Sequence, residues 1–514
     1  MFETIFWGAV LRFGESLLQA SPTILVGFFI AAIIHRFLGY ELTYRLFGGN
    51  SRRGLFQAWI IGMLLPVCSL GAIPVIRELR RTGLPGGTIL AFALAGPLFN
   101  PLSLLYGLTL SEPRTILGFA LCSLVLVTVV GFLWDKLFPA TSHVETAPPA
   151  VPYGFKRLAS LLVFAARDLA GISSLYILAG LAGVVLLAVV LPPGSLQHAM
   201  GHDNPWAPLV MTAVALPAYA TPMLAMSQLG MMFQHGNSVG AAFVLLAFGA
   251  GMNFGTLAWM WRTYGPRPSL AWLGLLLAVV IALSYGVERP LRPADAPAAD
   301  HTHAFDVYCR PFVVGNADPF LAALARLRQN RGAHELAGIA ALGVLLAAGV
   351  ALRALDPRGK IDAWLERPAP PSADRAGGLD FVLPNSVVGG FIVLGIVVFS
   401  VVGCFAYYPP PAEVFEEMRI AKGEALSAAI SGEREHAEQW LAVMDDWARK
   451  LQVGIYLRSG SLSEYHRMKA RVFRDKIELL EHEVAEGDRG EISKVSNEIS
   501  QAYRRMQHAY QNEL

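Results

Sequence analysis

Residues 65–71, LPVCSLG, and 96–101, GPLFNP, gather side chains that a purely apolar segment has little use for: Pro66, Cys68, Ser69, Pro97 and Asn100. A proline inside a helix leaves backbone carbonyls without partners. In lipid those groups must be satisfied by protein or by a water-filled cavity. The asparagine amide both donates and accepts, the serine hydroxyl does the same, and the cysteine offers a soft sulfur. The same chemistry returns later in the chain as Pro217, Tyr219 and Thr221 in LPAYATP, and as Asn253 in GAGMN. Broken helices at corresponding positions of two halves point to a solute site at the bilayer midplane. The candidate substrate-binding residues are therefore Pro66, Cys68, Ser69, Pro97, Asn100, Pro217, Tyr219, Thr221 and Asn253. The competing account is helix packing, in which small residues allow close approach and Asn or Ser hydrogen bonds act as glue.

The two stretches agree in spacing as well as in type. Both open on Leu-Pro, reach a turn glycine (Gly83, Gly236), add a second glycine (Gly87, Gly240) and a third (Gly96, Gly249), and close on asparagine (Asn100, Asn253). A two-residue gap between the proline and the turn aligns them. The repeat unit is about 150 residues and four helices. An even helix count makes the two copies parallel, unless one segment is re-entrant.

These segments need a membrane to sit in, and the composition supplies it. Of 514 residues, 54% are hydrophobic and 16% charged, with a mean hydropathy of +0.46; soluble domains are about 25% charged. A span needs about 20 apolar residues, which marks candidates at 16–37, 55–76, 86–109, 115–134, 169–191, 207–229, 239–260, 269–287, 335–354 and 386–408. The expected fold is all-α: a polytopic membrane protein with two repeated four-helix halves, two further transmembrane helices and a C-terminal soluble helical bundle.

The expected divisions are a first repeat over 1–136, a linker with an interfacial amphipathic helix over 137–168, and a second repeat over 169–287. A soluble loop over 288–334, two spans within 335–408, and a charged helical bundle over 412–514 follow. The N-terminus lacks a basic leader and an A-x-A cleavage site, so the first helix is expected to stay as an anchor. A net charge of +2 gives no reason to expect nucleic acid.

Other chemistries find little support. The four cysteines are scattered and form no CxxC pair, so neither a disulfide framework nor covalent haem is expected. His198 and His202 stand four apart beside Asp203 and could share a metal, but they read better as a solvated loop; His301 and His303 read the same way. Glu15, Glu78, Asp168 and His235 lie near expected helix ends, where charges usually anchor. No phosphate loop, catalytic carboxylate pair or nucleophile triad stands out. The expectation is no enzyme, no cofactor and no resident metal.

PVCSLGAIPVIRELRRTGLPGGTILAFALAGPLFNP resembles the signature of the ArsP-type predicted permeases, the organoarsenical efflux permease family. That signature runs P-x-C-S-C-G-x-x-P, a basic turn, a G-x-P-x-G-x-x-x-A-F stretch and P-x-x-N-P. ILVGFFIAAIIHRFLGYELTYRLFGGN is similar to the family's first helix and loop, and the resemblance covers about residues 10–287. It implies an inner-membrane, multi-pass permease that exports small solutes, trivalent organoarsenicals among them. Leu70 stands where the family's second cysteine usually lies, and PAYATP replaces a thiol-bearing pattern in the second half. Cys68 is thus left without a chelating partner. A metal-ion or sulfur-compound transporter is one alternative. A membrane receptor or scaffold recruiting protein partners, or self-associating, through 412–514 is another. The expected partners are the lipid bilayer and a small-molecule solute.

Basic residues point both ways on orientation. Arg77, Arg80, Arg81, Lys156 and Arg157 place their loops and the N-terminus inside, whereas Arg45, Arg52 and Arg53 fall on the other side if ten spans alternate. An even number of spans puts the tail on the N-terminal side, taken as cytoplasmic.

Overall fold

The computed structural model describes residues 2–51, 53–139, 155–192, 194–196, 198–292, 304–312, 318–329, 332–367, 385–487 and 489–511. Most of the Pro-rich linker, together with His301 and His303, lies outside these. The described residues form helices and no strand, and group into two compact units: 1–104 with 114–400, and 105–113 with 401–514.

The first unit opens with α1 (Phe2–Ile33), a π turn (Ile34–Leu38) and α2 (Gly39–Leu46). Then come α3 (Arg53–Leu64) and α4 (Ala72–Arg81), separated by the LPVCSLG break. α5 (Gly86–Leu98) and α6 (Pro101–Leu110) meet at a bend of 48°. α7 (Pro113–Leu137) completes this half.

The segment 55–76, expected as one span, is a hairpin. α3 has 12 residues and α4 has 10, which at about 1.5 Å per residue is roughly half of a ~30 Å hydrocarbon layer each. α3 and α5 run parallel: Gly54 packs on Thr88 and Gly62 on Gly96, at a constant offset. The chain between them must therefore reverse twice. It does so at the Pro66 break and at Gly83, whose φ of +79° suits a residue without a side chain.

α8 (Phe155–Leu169), the helix expected at the interface, leads to α9 (Ile172–Val190). α10 (Ala207–Ala215) and α11 (Pro222–Gln234) flank the LPAYAT break. α12 (Val239–Val244) passes into a π segment (Leu245–Ala250), then bends by 59° into α13 (Phe254–Tyr264). α14 (Pro266–Glu288) closes the half. The entries to α10 and α12 lie together, because Ser238 N donates to Met200 O at 2.9 Å and Gly201 bridges Asn237. The far ends meet as well: Ala220 N donates to Gly249 O at 2.8 Å. α10 and α12 thus enter from one end, and α11 returns to it. The expected span over 207–229 is also a hairpin.

The two hairpins open at opposite ends of α9. Arg77, near the open end of the first, bonds Asp168 at 2.5 Å and also Ser173, at the start of α9. The other end of α9 is held by Arg310, which donates to Val189 O at 2.7 Å and, through its backbone N, to Leu191 O at 3.0 Å. From there the chain leads to the open end of the second hairpin. Matching carboxylates cap the helices that follow the hairpins: Gly87 N donates to Asp135 Oδ1 at 2.7 Å, and Gly240 N to Glu288 Oε2 at 2.6 Å, over the same sequence separation.

Beyond α14, α15 (Pro319–Gln329), α16 (Ala333–Leu355), α17 (Lys360–Glu366) and α18 (Asn385–Tyr407) follow. Among the described residues, five helices are long and apolar enough to span, or seven counting the two bent pairs; α18 adds a shorter apolar stretch, Val397–Tyr407. Hydropathy reads the leg pairs 55–76 and 207–229 as one span each, which is how the expectation of ten spans arises. At the open end of the first hairpin lies a layer of ion pairs. Glu78 meets His35 Nδ1 at 2.6 Å and Arg81 at 2.9 Å, Arg36 meets Glu366 at 2.8 Å, and Arg167 meets Asp356 and Asp362 at 2.9 Å each.

In the second unit, α19 (Pro411–Ser431), α20 (Arg434–Ser459), α21 (Glu464–Glu486) and α22 (Arg489–Gln511) share one apolar core that includes Phe415, Met444, Phe473 and Met506. Asp445 pairs with Arg449 and Arg474 at 2.6 Å each. Burial pushes the Asp445 carboxyl up, but the two guanidinium groups outweigh it and bring it down to about 2.

Candidate functional site

The breaks converge on the middle of α9. A Cβ at Gly180 would stand 2.4 Å from Leu70 Cδ2, at the tip of the first hairpin, and 2.8 Å from Asn253 Oδ1, at the bend of α12–α13. A Cβ at Gly183 would stand 1.8 Å from Pro217 O, at the tip of the second hairpin. Tyr219, also on that tip, lies beside Cys68 on the first. On the other side of the first tip, a Cβ at Gly27 of α1 would meet Gly71 O at 2.0 Å. Leu98, before the α5–α6 bend, reaches Gly251, before the α12–α13 bend. Glycines on α1 and α9 are thus what lets irregular backbone lie directly against these helices.

Three of the four breaks end in a helix N-terminus capped by a side chain. Asn253 Oδ1 accepts from Thr256 N at 2.9 Å, and Asn100 Oδ1 accepts from Ser103 N at 2.8 Å while Asn100 N donates to Ser103 Oγ at 3.0 Å. Thr221 Oγ1 accepts from Leu224 N at 3.2 Å. Cys68 Sγ accepts from Gly71 N at 3.3 Å, next to the first residue of α4. Capping therefore takes the acceptor side of both asparagines and of Thr221, which the residue types alone assign to the solute.

Two donors remain unpaired. Ser69 Oγ and Asn253 Nδ2 are buried with no hydrogen-bond partner, on residues only 1% and 0% exposed, while the buried Tyr219 hydroxyl bonds the Cys68 side chain. Unpaired buried polar atoms cost about 1–3 kcal/mol each, so two together at one place are a costly arrangement for packing alone. Pro66 and Pro217 sit in the hairpin tips and Pro97 in the last turn of α5, where each interrupts the helix. All nine sequence-derived candidates thus lie at or beside the four breaks.

Sequence reasoning passes over Gly180, Gly183, Gln228 and Tyr308. Gln228 of α11 is fully buried; its Nε2 donates to Ala304 O at 2.8 Å, and Tyr308 Oη donates to its Oε1 at 3.1 Å. Arg12 fastens the same segment through Asp306 O at 2.5 Å and Cys309 O at 3.3 Å. The apolar island AFDVYC within a polar, Pro/Ala-rich loop is the available signal. Among the other candidates, Glu15 pairs with Arg12 at 2.9 Å and His202 Nδ1 faces Gly236 O at 2.9 Å. The described residues hold no group of three His, Cys, Asp or Glu placed to bind a metal.

One curated relative is the UPF0718 protein YcgR of Bacillus subtilis (strain 168), 34% identical over 88 residues. That match covers 17% of this chain and 30% of YcgR, so the chain spans under a third of that relative's length. No solved structure matches. The family model ArsP_1, described as a predicted permease, matches residues 6–288, more than half of the chain and nearly all of both hairpin-bearing halves. This multi-pass membrane protein belongs to the ArsP_1 family of predicted permeases.

Proposed function

We propose that the chain is a secondary permease of the inner membrane, exporting a small solute through a midplane site between two halves of inverted topology. The observation that carries this is the meeting of two hairpin tips, opening at opposite ends of α9, around two unpartnered donors. Each half then has three crossings and one re-entrant hairpin. An odd number of crossings inverts the second copy, which is the exception that the four-helix count left open. Inverted repeats with discontinuous helices at the midplane are the architecture of alternating access.

The same reading reconciles the opposed basic residues. With α3–α4 re-entrant, Arg45, Arg53, Arg77, Arg80, Arg81, Lys156 and Arg157 fall at one end, which the positive-inside rule makes cytoplasmic. The start of α1 then lies on the opposite side, contrary to the sequence-based placement.

The family resemblance offers trivalent organoarsenicals as one solute class. Cys68 with Leu70 beside it, and no second-half cysteine, gives such a solute a single thiol. The test is uptake into proteoliposomes of trivalent methylarsenite and of inorganic phosphate. Flux of either above empty vesicles, lost in Gly183→Leu, is the expected result. Binding of a protein by 412–514 with no flux of any solute would instead favour the receptor or scaffold.

A further inference from the structure

We propose, building on the permease reading, that the solute is a small anion, held by helix N-termini and hydrogen-bond donors without a countercharge from a basic side chain. Four helices begin at the breaks: α4 with 10 residues, α6 with 10, α11 with 13 and α13 with 11. Each N-terminus presents about half a positive charge from its aligned peptide dipoles, and such ends bind anions through that field. The ends of α4, α11 and α13 are brought together by Leu70, Pro217 and Asn253 against Gly180 and Gly183. The end of α6 joins them where Leu98 reaches Gly251.

The independent observation is the polarity of the unpaired atoms. Asn253 Nδ2 can only donate, and the Ser69 hydroxyl can donate. The Asn253 carbonyl oxygen, which a cation would need, is already committed to Thr256 N. Cys68 Sγ likewise accepts from Gly71 N, leaving its S–H as a weak donor.

No acidic side chain opposes the assignment. Residues 53–77, 79–111, 172–201 and 204–287 contain no Asp or Glu, although they build all four breaks and the helix between them. A cation-transporting site would be expected to carry an intramembrane carboxylate there.

The experiment uses the full chain, with inorganic phosphate, sulfate and methylphosphonate as anionic probes and dimethyl methylphosphonate and trivalent methylarsenite as neutral ones. Binding is read as a thermal shift in detergent at constant ionic strength, and transport as uptake into proteoliposomes under an imposed potential. At least one anion should raise the melting temperature and enter faster when the vesicle interior is positive. Asn253→Asp keeps an oxygen for the Thr256 cap while replacing the donor with negative charge, so it should fold and lose at least ten-fold in anion uptake. Ser69→Ala removes an unpaired hydroxyl and should weaken anion binding several-fold, which keeps the test open if the aspartate variant misfolds. Anion binding without flux would uphold the anion site and remove the permease reading. Uptake of neutral probes alone, indifferent to potential and undiminished in Asn253→Asp, would overturn the anion and keep the permease. No shift by any anionic probe would overturn the anion as well.

Discussion

Leu70 and Asn253, from different halves of the chain, meet across Gly180, where an added Cβ would lie 2.4 Å from one and 2.8 Å from the other. Three residues on, Gly183 meets backbone instead, with Pro217 O at 1.8 Å. A side-chain end can turn aside and a carbonyl in a constrained tip cannot. Gly183→Ala should therefore cost about 1–3 kcal/mol as an overpacked contact, seen as a lower melting temperature in detergent. Gly180→Ala should melt close to the parent yet transport several-fold less, because it displaces Leu70 and Asn253. Equal melting temperatures for the two variants would show that the second tip does not lie against α9.

The two asparagines should separate. Asn100 exchanges two hydrogen bonds with Ser103, so Asn100→Ala loses a cap worth about 1 kcal/mol. Asn253 caps α13 and also carries an unpaired donor. Asn253→Ala should thus reduce flux by more than its stability loss explains, whereas Asn100→Ala should reduce both in proportion. Melting temperature and initial uptake rate, measured on the same preparations, decide this. Cys68→Ser should lower transport only modestly, since serine keeps both an acceptor for Gly71 N and a donor.

Tyr308 and Gln228 predict a change in accessibility. Cys309 is 2% exposed and follows Tyr308, whose hydroxyl bonds Gln228 Oε1 at 3.1 Å. Tyr308→Ala leaves a cavity and an unpaired buried acceptor, a loss of about 3 kcal/mol. Maleimide labelling of Cys309, in a chain with the other three cysteines replaced, should rise at least ten-fold. Unchanged labelling would mean that Tyr308 does not hold the segment in place.

The second unit should weaken in acid. Asp445 is held near 2 against about 3.9 unfolded. A depressed carboxylate stabilises the fold fully above its unfolded value, and that contribution fades as pH falls from about 4 to about 2. The loss is about 2 kcal/mol. Hydrogen exchange in α20 and α21, corrected for intrinsic rates, should accelerate across that window, and Asp445→Asn should lack the step. An identical step in the asparagine chain would assign it to another carboxylate.

The sequence makes the breaks plain and hides their direction. Pro66, Pro217 and the glycine turns announce interrupted helices, and N-P-L-S and N-F-G-T are legible as caps, an asparagine followed three residues later by a hydroxyl residue. Whether α3 and α4 continue or fold back depends on Gly54 meeting Thr88 and Gly62 meeting Gly96. Hydropathy is blind to such contacts, since both legs are apolar in either case. The role of Gly180 is equally hidden, because a glycine in an apolar helix has many neighbours to choose from. Gln228 and Tyr308 meet over 80 residues, through a loop whose polar flanks draw attention away from its apolar centre.

Inverted halves require the two hairpins to enter from opposite faces of the membrane. Arg53 and Trp206, both exposed, stand at their respective open ends. In an otherwise cysteine-free chain reconstituted in one orientation, Arg53→Cys and Trp206→Cys should be labelled by a membrane-impermeant maleimide from opposite sides. Ten alternating spans would place positions 53 and 206 on one side, so labelling of both from the same face would contradict the inverted halves and the midplane site built on them.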